Sequence, residues 1–567
     1  MQMELSGSEA QPLAGSKVLL KQMKIRTFPE TGGDAQMIAE APECIYDLKK
    51  QQADSAGPLQ VHTGDGRFRI EGNGFVWQQS DSSLVISNQV HSVIKAQAGT
   101  NASTKAAETK ISSDRAWFEM KAEGKGRSAV YQGSVRVEDA QMNLISEILT
   151  AELPQEGGSP NHIVAETNVV IDFFDERGEK THATCDKAVY SRNITLTTTN
   201  EVVELTGQPR LERTNGWMTA DVFYLDRTAN TIRGVGHYRS RLQTQPQAAD
   251  LSKTNAPTRP ETEITSDAFQ YEMHTGSALY QGSVRVDNPR FKLSCENLAG
   301  QVSQGAGATN HLNNFMAETN VVADFIDERG LKREITHATG DTGIYTFDAS
   351  GTTTNETIEL RGNPRLERTN GWMSADIIIM NRTEGVIRGI GNHHSFMNGQ
   401  PAGPGQTNTP ANSDTEIFSN LSRLDIKSGL AVYEDNVRLK NPQLSLVGGS
   451  LTVRLPQNGG PINYALAETG VVADFVRPRG LTTETIHATG EKLVYNLEVT
   501  DTTTNGILEL TGKPRLEGPL WWGTAEEAII YNQTTGRMKT RGDGVYRLKP
   551  AAFTKTKPAA PEKNATK

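Results

Sequence analysis

Apolar and polar residues alternate along many short segments of this chain. Ile358 and Leu360 flank Glu359, and the same alternation predicts that Ile377 and Ile379 share one face. Because successive side chains of a β-strand point to opposite faces, this period of two predicts strands with one buried face. No segment longer than about ten residues keeps the spacing of an amphipathic helix. The pattern therefore predicts an all-β chain with almost no helix.

The chain contains a long internal repeat. AETNVVIDFFDERG (165–178) returns as AETNVVADFIDERG (317–330) and again as AETGVVADFVRPRG (467–480). Linkers rich in Pro, Gly, Thr and Asn separate three copies of about 150 residues each, and such linkers are typical of exposed loops. The predicted boundaries are 1–95 for a divergent N-terminal β-unit, 107–242, 261–397 and 414–547 for the three repeats, and 548–567 for a disordered tail.

Composition and charge exclude some classes of protein. The 567 residues carry 58 basic and 67 acidic side chains, a net charge of −9, which argues against binding nucleic acid through its phosphates. No apolar stretch is long enough to span a bilayer as a helix. Cys44, Cys185 and Cys295 are too few for a disulfide framework and lack metal-ligand spacing, so we expect small buried side chains.

Two recurring polar motifs are candidates for chemistry. Carboxylates cluster in the DFxDERG segments, and three histidines recur in the THAT and IHAT segments. The carboxylates are Asp172, Asp175, Glu176, Asp324, Asp327, Glu328 and Asp474, and the histidines are His182, His337 and His487. A calcium site or a hydrolase would use such carboxylates. The third copy reads DFVRPRG, however, which favours a turn between strands, and we expect structural histidines, no catalytic residue, no bound metal and no cofactor.

The repeats resemble the OstA-like family of lipopolysaccharide-transport proteins. The resemblance is carried in the second copy by GSVRV (282–286), GDTGIY (340–345), IELRGNPRL (358–366), GWMSADIIIMN (371–381) and VIRGIG (386–391). Equivalent segments recur in the other two copies. The N-terminal stretch is more weakly similar to the LptC-like partner of the same transport system. Typical bridging members carry one such repeat, whereas this chain carries three.

The resemblance implies tandem β-jelly-roll modules stacked into an elongated open trough. The trough of an LptA-type protein holds lipid acyl chains, so the expected ligand is lipopolysaccharide or a similar amphiphile. The expected partners are other lipopolysaccharide-transport components, which join through edge strands, and not nucleic acid. We expect a periplasmic protein that acts in outer-membrane biogenesis, with any leader or inner-membrane tether encoded upstream of residue 1.

Alternation selects the side chains that would line such a groove. Each candidate is flanked by polar residues that must face water. The predicted groove residues are Val135, Phe173, Leu205, Val284, Val286, Phe325, Ile358, Leu360, Ile377, Ile379 and Phe475. Trp217, Trp372 and Trp522 recur at matching positions and could be core side chains or groove residues that touch acyl chains.

Two other functions compete with a lipid carrier. A structural β-repeat scaffold or adhesin without a ligand would show the same repeats. A β-helix enzyme acting on polysaccharide is disfavoured, because β-helix coils recur every twenty or so residues.

Overall fold

The computed structural model confirms an all-β chain. It describes residues 2–28, 37–95, 108–119, 127–153, 160–174, 178–194, 199–214, 216–243, 261–302, 312–329, 332–350, 353–398, 414–454, 462–479, 482–499, 504–533 and 535–549. These residues form 39 strands and no helix. Every described ladder is antiparallel, which argues against a parallel β-helix.

The strands follow the order of the sequence repeats. The N-terminal segment contains β1 (Gln2–Ser6), β2 (Glu9–Leu13), β3 (Lys17–Phe28), β4 (Met37–Asp47), β5 (Gln52–Thr63), β6 (Phe68–Gln78) and β7 (Ser83–Lys95). The first repeat contains β8 (Glu108–Ser113), β9 (Arg115–Glu119), β10 (Arg127–Glu138), β11 (Met142–Leu153), β12 (His162–Phe174), β13 (Lys180–Ile194), β14 (Thr199–Thr206), β15 (Arg210–Arg213), β16 (Gly216–Thr219), β17 (Val222–Asp226) and β18 (Thr231–Gln243).

The second and third repeats have the same succession. The second contains β19 (Glu261–Glu272), β20 (Ser277–Asn288), β21 (Phe291–Val302), β22 (Leu312–Arg329), β23 (Lys332–Ser350), β24 (Thr353–Arg361), β25 (Arg365–Arg368), β26 (Gly371–Ser374), β27 (Ile377–Asn381) and β28 (Val386–Met397). The third contains β29 (Thr415–Asp425), β30 (Leu430–Asn441), β31 (Leu444–Arg454), β32 (Tyr464–Arg479), β33 (Thr482–Val499), β34 (Thr504–Thr511), β35 (Arg515–Glu517), β36 (Trp521–Ala525), β37 (Ala528–Asn532), β38 (Met538–Arg541) and β39 (Gly544–Leu548).

Bulges near the middle of the long strands bend each repeat into two layers. The β10–β11 ladder shifts register between Gln132 and Val135, and β14 and β15 are separated by a similar irregularity. The buried side chains on both sides of these bulges join one core, as the third repeat shows. The Ser395 hydroxyl of one layer donates a hydrogen bond to the Tyr433 hydroxyl of the other, with the two oxygens 3.5 Å apart. A bulge bends a strand and strengthens its twist, so a row of them folds the sheet over itself.

A recurring Asp–Gly contact marks many of these bulges. The Asp–Gly corners are Asp114–Gly133, Asp186–Gly207, Asp221–Gly236, Asp267–Gly282, Asp341–Gly362 and Asp376–Gly391, each glycine having a positive φ. At Asp376–Gly391 the aspartate N–H donates to the glycine carbonyl at 2.8 Å. In the Asp267–Gly282 corner, a Cβ on the glycine would lie 2.9 Å from the Asp267 Cβ. The neighbouring aspartate and the left-handed backbone together favour glycine there.

Internal contacts divide the chain into two compact units. The first comprises residues 1–288 and 299–312, and the second comprises 289–298 and 313–567. Each unit has its own buried apolar core of paired strands. The predicted burial of the cysteines is confirmed, since Cys44, Cys185 and Cys295 are all buried free thiols.

Candidate functional site

Continuous rows of apolar side chains line the interior of the third repeat. A row here means residues directly paired across successive strands, so that their side chains share a face. One row consists of Leu439, Leu446, Ala473, Ala488 and Leu516. In the other layer the row consists of Tyr433, Leu451, Ala467, Leu493, Leu510 and Ile529. All these side chains are buried, so they form one unbroken apolar interior.

The first repeat builds the same interior from equivalent residues. Its two rows are Val137, Leu144, Ile171, Ala183 and Leu211, and Tyr131, Leu149, Ala165, Ala188, Leu205 and Phe223. These side chains are also buried. Both repeats place alanine where β12 pairs with β13 and where β32 pairs with β33. These alanines fill less volume than the leucine and isoleucine side chains of the same rows.

Most of the predicted groove residues face this interior. Val135, Leu205, Val284, Val286, Phe325, Ile358, Leu360 and Phe475 are buried. Phe173 is half-buried and pairs with the buried Thr181. Alternation thus found the correct face for these side chains, whereas their contact with a lipid stays a prediction.

The predicted face of Ile377 and Ile379 is wrong. Ile378 and Met380 are buried instead, while Ile377 and Ile379 are only partly buried. The alternation does not run unbroken through GWMSADIIIM, because β26 ends at Ser374 and β27 begins at Ile377. Between them lies the Asp376–Gly391 corner, which shifts the phase by one residue.

The three predicted tryptophans lie on the outer face, not in the core or the groove. Trp217 pairs with Glu212, which in turn pairs with His182, whereas the neighbouring Leu211 faces the interior. The Arg210 guanidinium lies 4.5 Å from the Trp217 ring centroid. The corresponding distances are 4.1 Å for Arg365 over Trp372 and 4.7 Å for Arg515 over Trp522. Cation–π stacking on the sheet surface explains their recurrence.

Each recurring histidine hydrogen-bonds an aspartate on the neighbouring strand. The Nδ1–Oδ1 distances are 2.6 Å for His182–Asp172, 2.6 Å for His337–Asp324 and 2.7 Å for His487–Asp474. Sequence spacing alone did not reveal these partners, although the hairpin register of β12 and β13 places each Asp opposite its His. The arrangement is a partly buried Asp–His hydrogen bond repeated once per copy.

Neighbouring side chains lower the pKa of the Asp172 carboxylate in the first copy. Partial burial alone would raise the pKa of Asp172, but hydrogen bonds from Lys180 and His182 outweigh it and hold that pKa below its usual value. Asp172 is therefore ionised at neutral pH, as an ion-pair partner should be. No group of three or more His, Cys, Asp or Glu side chains in the described residues is arranged to hold a metal ion.

The other acidic residues of the DFxDERG segments are placed differently from the prediction. In the second copy β22 continues to Arg329, so Asp327 and Glu328 belong to a strand, not to the predicted turn. Asp175 and Glu176 lie outside the described residues. The described part of the chain has no helix suited to crossing a membrane.

The N-terminal segment has a small cavity between its layers. The cavity, of about 10 Å³, is lined by apolar side chains that include Met23, Leu59, Phe75 and Trp77. A volume of this size accommodates roughly one water molecule. Thr27 lines the same cavity, and its buried hydroxyl has no hydrogen-bond partner among the described residues. The N-terminal strands thus enclose an apolar interior of their own.

Comparison with known proteins agrees with this arrangement. The model of one family, described as LptA/(LptD N-terminal domain) LPS transport protein, matches residues 110–231, 263–386 and 416–537. No curated protein matches the chain. The three matches fall on the three repeats and together span well over half of the sequence. The chain therefore belongs to the family of LptA and LptD N-terminal-domain lipopolysaccharide-transport proteins.

Proposed function

We propose that the chain is a non-enzymatic carrier that shields the acyl chains of lipopolysaccharide inside its repeats. This proposal is supported by the two unbroken apolar rows in the interior of the first repeat and by the two equivalent rows in the third. Exposing an acyl chain to water costs about 0.8 kcal/mol per methylene relative to burying it in an apolar interior. A continuous apolar path through the periplasm would remove that cost at every step.

The alanine positions indicate where an acyl chain would lie. The interior is filled by its own side chains, so the two layers must separate to admit a ligand. Where β32 pairs with β33, Ala473 faces Ala488, and Ala467 faces Leu493. Short side chains there reduce the separation that a single acyl chain requires, and we assign the lipid path to these middle strands.

Edge strands are the proposed attachment sites for other transport components. Among the described residues, β39 pairs only with β36, and Val545, Tyr546 and Leu548 on it are about half exposed or more. Unpaired backbone groups on such a strand accept another strand. We propose that partner proteins of the periplasm add strands there and beside β1 and β2, and that the N-terminal segment has the LptC-like role.

The test is site-specific photo-crosslinking in cells that make lipopolysaccharide. A crosslinking amino acid at buried Leu360 should label lipopolysaccharide, whereas one at the adjacent, ion-paired Glu359 should not. The two positions differ by one residue and by face, so each controls for the other. Equal labelling at both positions, or none at either in a folded protein, would contradict the proposal.

The filled interior favours one alternative, a scaffold without a ligand. In that case the core would stay closed, and lipid extracted from the purified protein would not exceed that from an unrelated periplasmic protein. Mass spectrometry of the extracted lipid separates the two functions.

A further inference from the structure

A groove of about 620 Å³ opens on strands β3 to β7, outside the repeats that match the family model. This volume is within the range of small-molecule sites. Its lining is both apolar and polar, and the polar residues are Gln22, Lys24, Glu40, Gln60, Glu71, Asn73, Gln89 and His91. Four of these eight side chains are amides, which both donate and accept hydrogen bonds.

The groove lies where the sheet is locally open. The β4–β5 ladder is interrupted between the Glu40–Gln60 and Ile45–Asp54 pairs, so residues 41–44 and 55–59 are not paired with each other. The bulges of the repeats skip fewer residues, as at Gln132–Val135. Pro42 and Pro58 lie in this gap, and neither has an N–H to donate. The interruption is therefore built into the sequence.

Only a thin wall separates this groove from the apolar interior. Met23 and Leu59 line both the groove and the interior cavity. Ala41, which pairs with Met23 on the neighbouring strand, also lines the groove. Because Met is flexible and Ala is short, a slender alkyl chain could pass here with side-chain rotation alone.

The lining favours a neutral head group. Lys24 is already paired with Glu40 at 2.7 Å, and Gln60 donates to Glu71 at 2.8 Å. The groove has no excess of positive charge to attract a phosphate. Asn73 also donates to Gln89 at 2.7 Å, and the remaining donor and acceptor positions of these amides and paired charges suit a surface of hydroxyl groups.

We propose that this groove is a side port, where an amphiphile with a neutral polyhydroxyl head binds beside the interior. The head lies on the polar lining, and the first alkyl chain passes through the gap between β4 and β5, beside Ala41 and Leu59. This inference rests on the proposed function, because it assumes that the interior accepts acyl chains.

The test uses the full chain and dodecyl maltoside below its micellar concentration, with binding measured by titration calorimetry. Gln60→Ala removes an exposed amide of the groove and should weaken binding about fivefold, the loss expected for one hydrogen bond. Gln132→Ala, an equally exposed amide on β10, is the matched control and should have no effect. Ala41→Leu fills the gap and should weaken binding more than about tenfold, since several methylenes lose their burial.

Other probes test each half of the proposal. Maltose alone should bind more weakly than dodecyl maltoside, and dodecylphosphocholine should not bind more tightly. Any of three results would overturn the proposed port. They are an absence of dodecyl maltoside binding, equal effects of Gln60→Ala and Gln132→Ala, and tighter binding of the phosphocholine head. If Ala41→Leu fails to fold by circular dichroism, the comparison of the two glutamine variants decides. Labelling of lipopolysaccharide at position 360 is independent of these variants, so failure of the port and failure of the proposed carrier are distinguishable.

Discussion

Adjacent isoleucines on β27 allow a matched test of which face of the strand is buried. Ile378 is fully buried and pairs with Leu360 and Gly389. Ile377 is partly buried and pairs with Ile390, which is 37% exposed. Replacing each isoleucine by alanine removes the same three carbons from neighbouring positions of one strand. Any difference between the variants therefore reports burial alone.

The expected magnitudes follow from the burial of each side chain. Three carbons at about 0.8 kcal/mol each give about 2.4 kcal/mol for Ile378→Ala, and the residual cavity raises the loss to about 3–4 kcal/mol. Ile377→Ala leaves no closed cavity and removes only partly buried carbons, so its cost should be about 1 kcal/mol.

The assay must report local stability, since a long repeat protein does not unfold in one step. Native-state hydrogen exchange of peptides from β24 and β28 measures the opening of the strands that flank β27. Ile378→Ala should speed their exchange by a hundredfold or more, whereas Ile377→Ala should speed it less than about tenfold. Equal acceleration, or a larger effect of Ile377→Ala, would refute the phase shift at the Asp376–Gly391 corner.

Two further perturbations test ionisable groups, one at an exposed corner and one in the buried interior. In the third repeat the Asp267–Gly282 corner is replaced by Asn420 and Asp435, and the Asn420 amide donates to the Asp435 carboxylate at 2.6 Å. Gly282→Asp alone should therefore lower the midpoint of thermal unfolding. Adding Asp267→Asn to that variant should restore part of the loss. No rescue in this double-mutant cycle would contradict the assignment. Burial, with a smaller effect of its neighbouring histidine, lowers the pKa of His393 to about 4, so stability should be full above about pH 6.5 and fall as the pH drops toward 4. His393→Tyr, the residue that the first repeat has there, should flatten this part of the profile of thermal unfolding against pH, and an unchanged profile would show that His393 does not titrate as argued.

Alternation predicts burial well wherever a strand is unbroken. The faces of Ile358 and Leu360 follow directly, because Glu359 between them pairs with Arg361 on the outer side. Alternation gives the wrong face for Ile377, because a bulge adds one residue to the chain there and shifts the alternation that follows it. The recurrence of Asp before β27 and Gly in β28 was a usable signal for that bulge, but only once the strands were known to be neighbours.

Recurrence in three copies is a poor guide to burial. The tryptophans and the Asp–His pairs recur as faithfully as the core, yet they form cation–π contacts and hydrogen bonds on the outer face. Because these contacts lie on the outer face of the sheet, they are not what holds the two layers together. Inner and outer residues alternate along the same strand, and a repeated segment carries both sets together. Only the register across strands separates them, because a residue's partners share its face.

The two kinds of row differ in how well they could accommodate a lipid in the proposed carrier. An acyl chain gains from burial only along a path without charged side chains, and the outer rows contain Asp, His, Glu and Arg within each repeat. The inner rows are apolar from β10 to β15 and from β30 to β35. A lipid bound by these repeats must therefore enter between the layers. The layers can separate only where backbone pairing does not join them, so opening costs least along unpaired strand edges and not along the bulge line, where the strands run from one layer into the other.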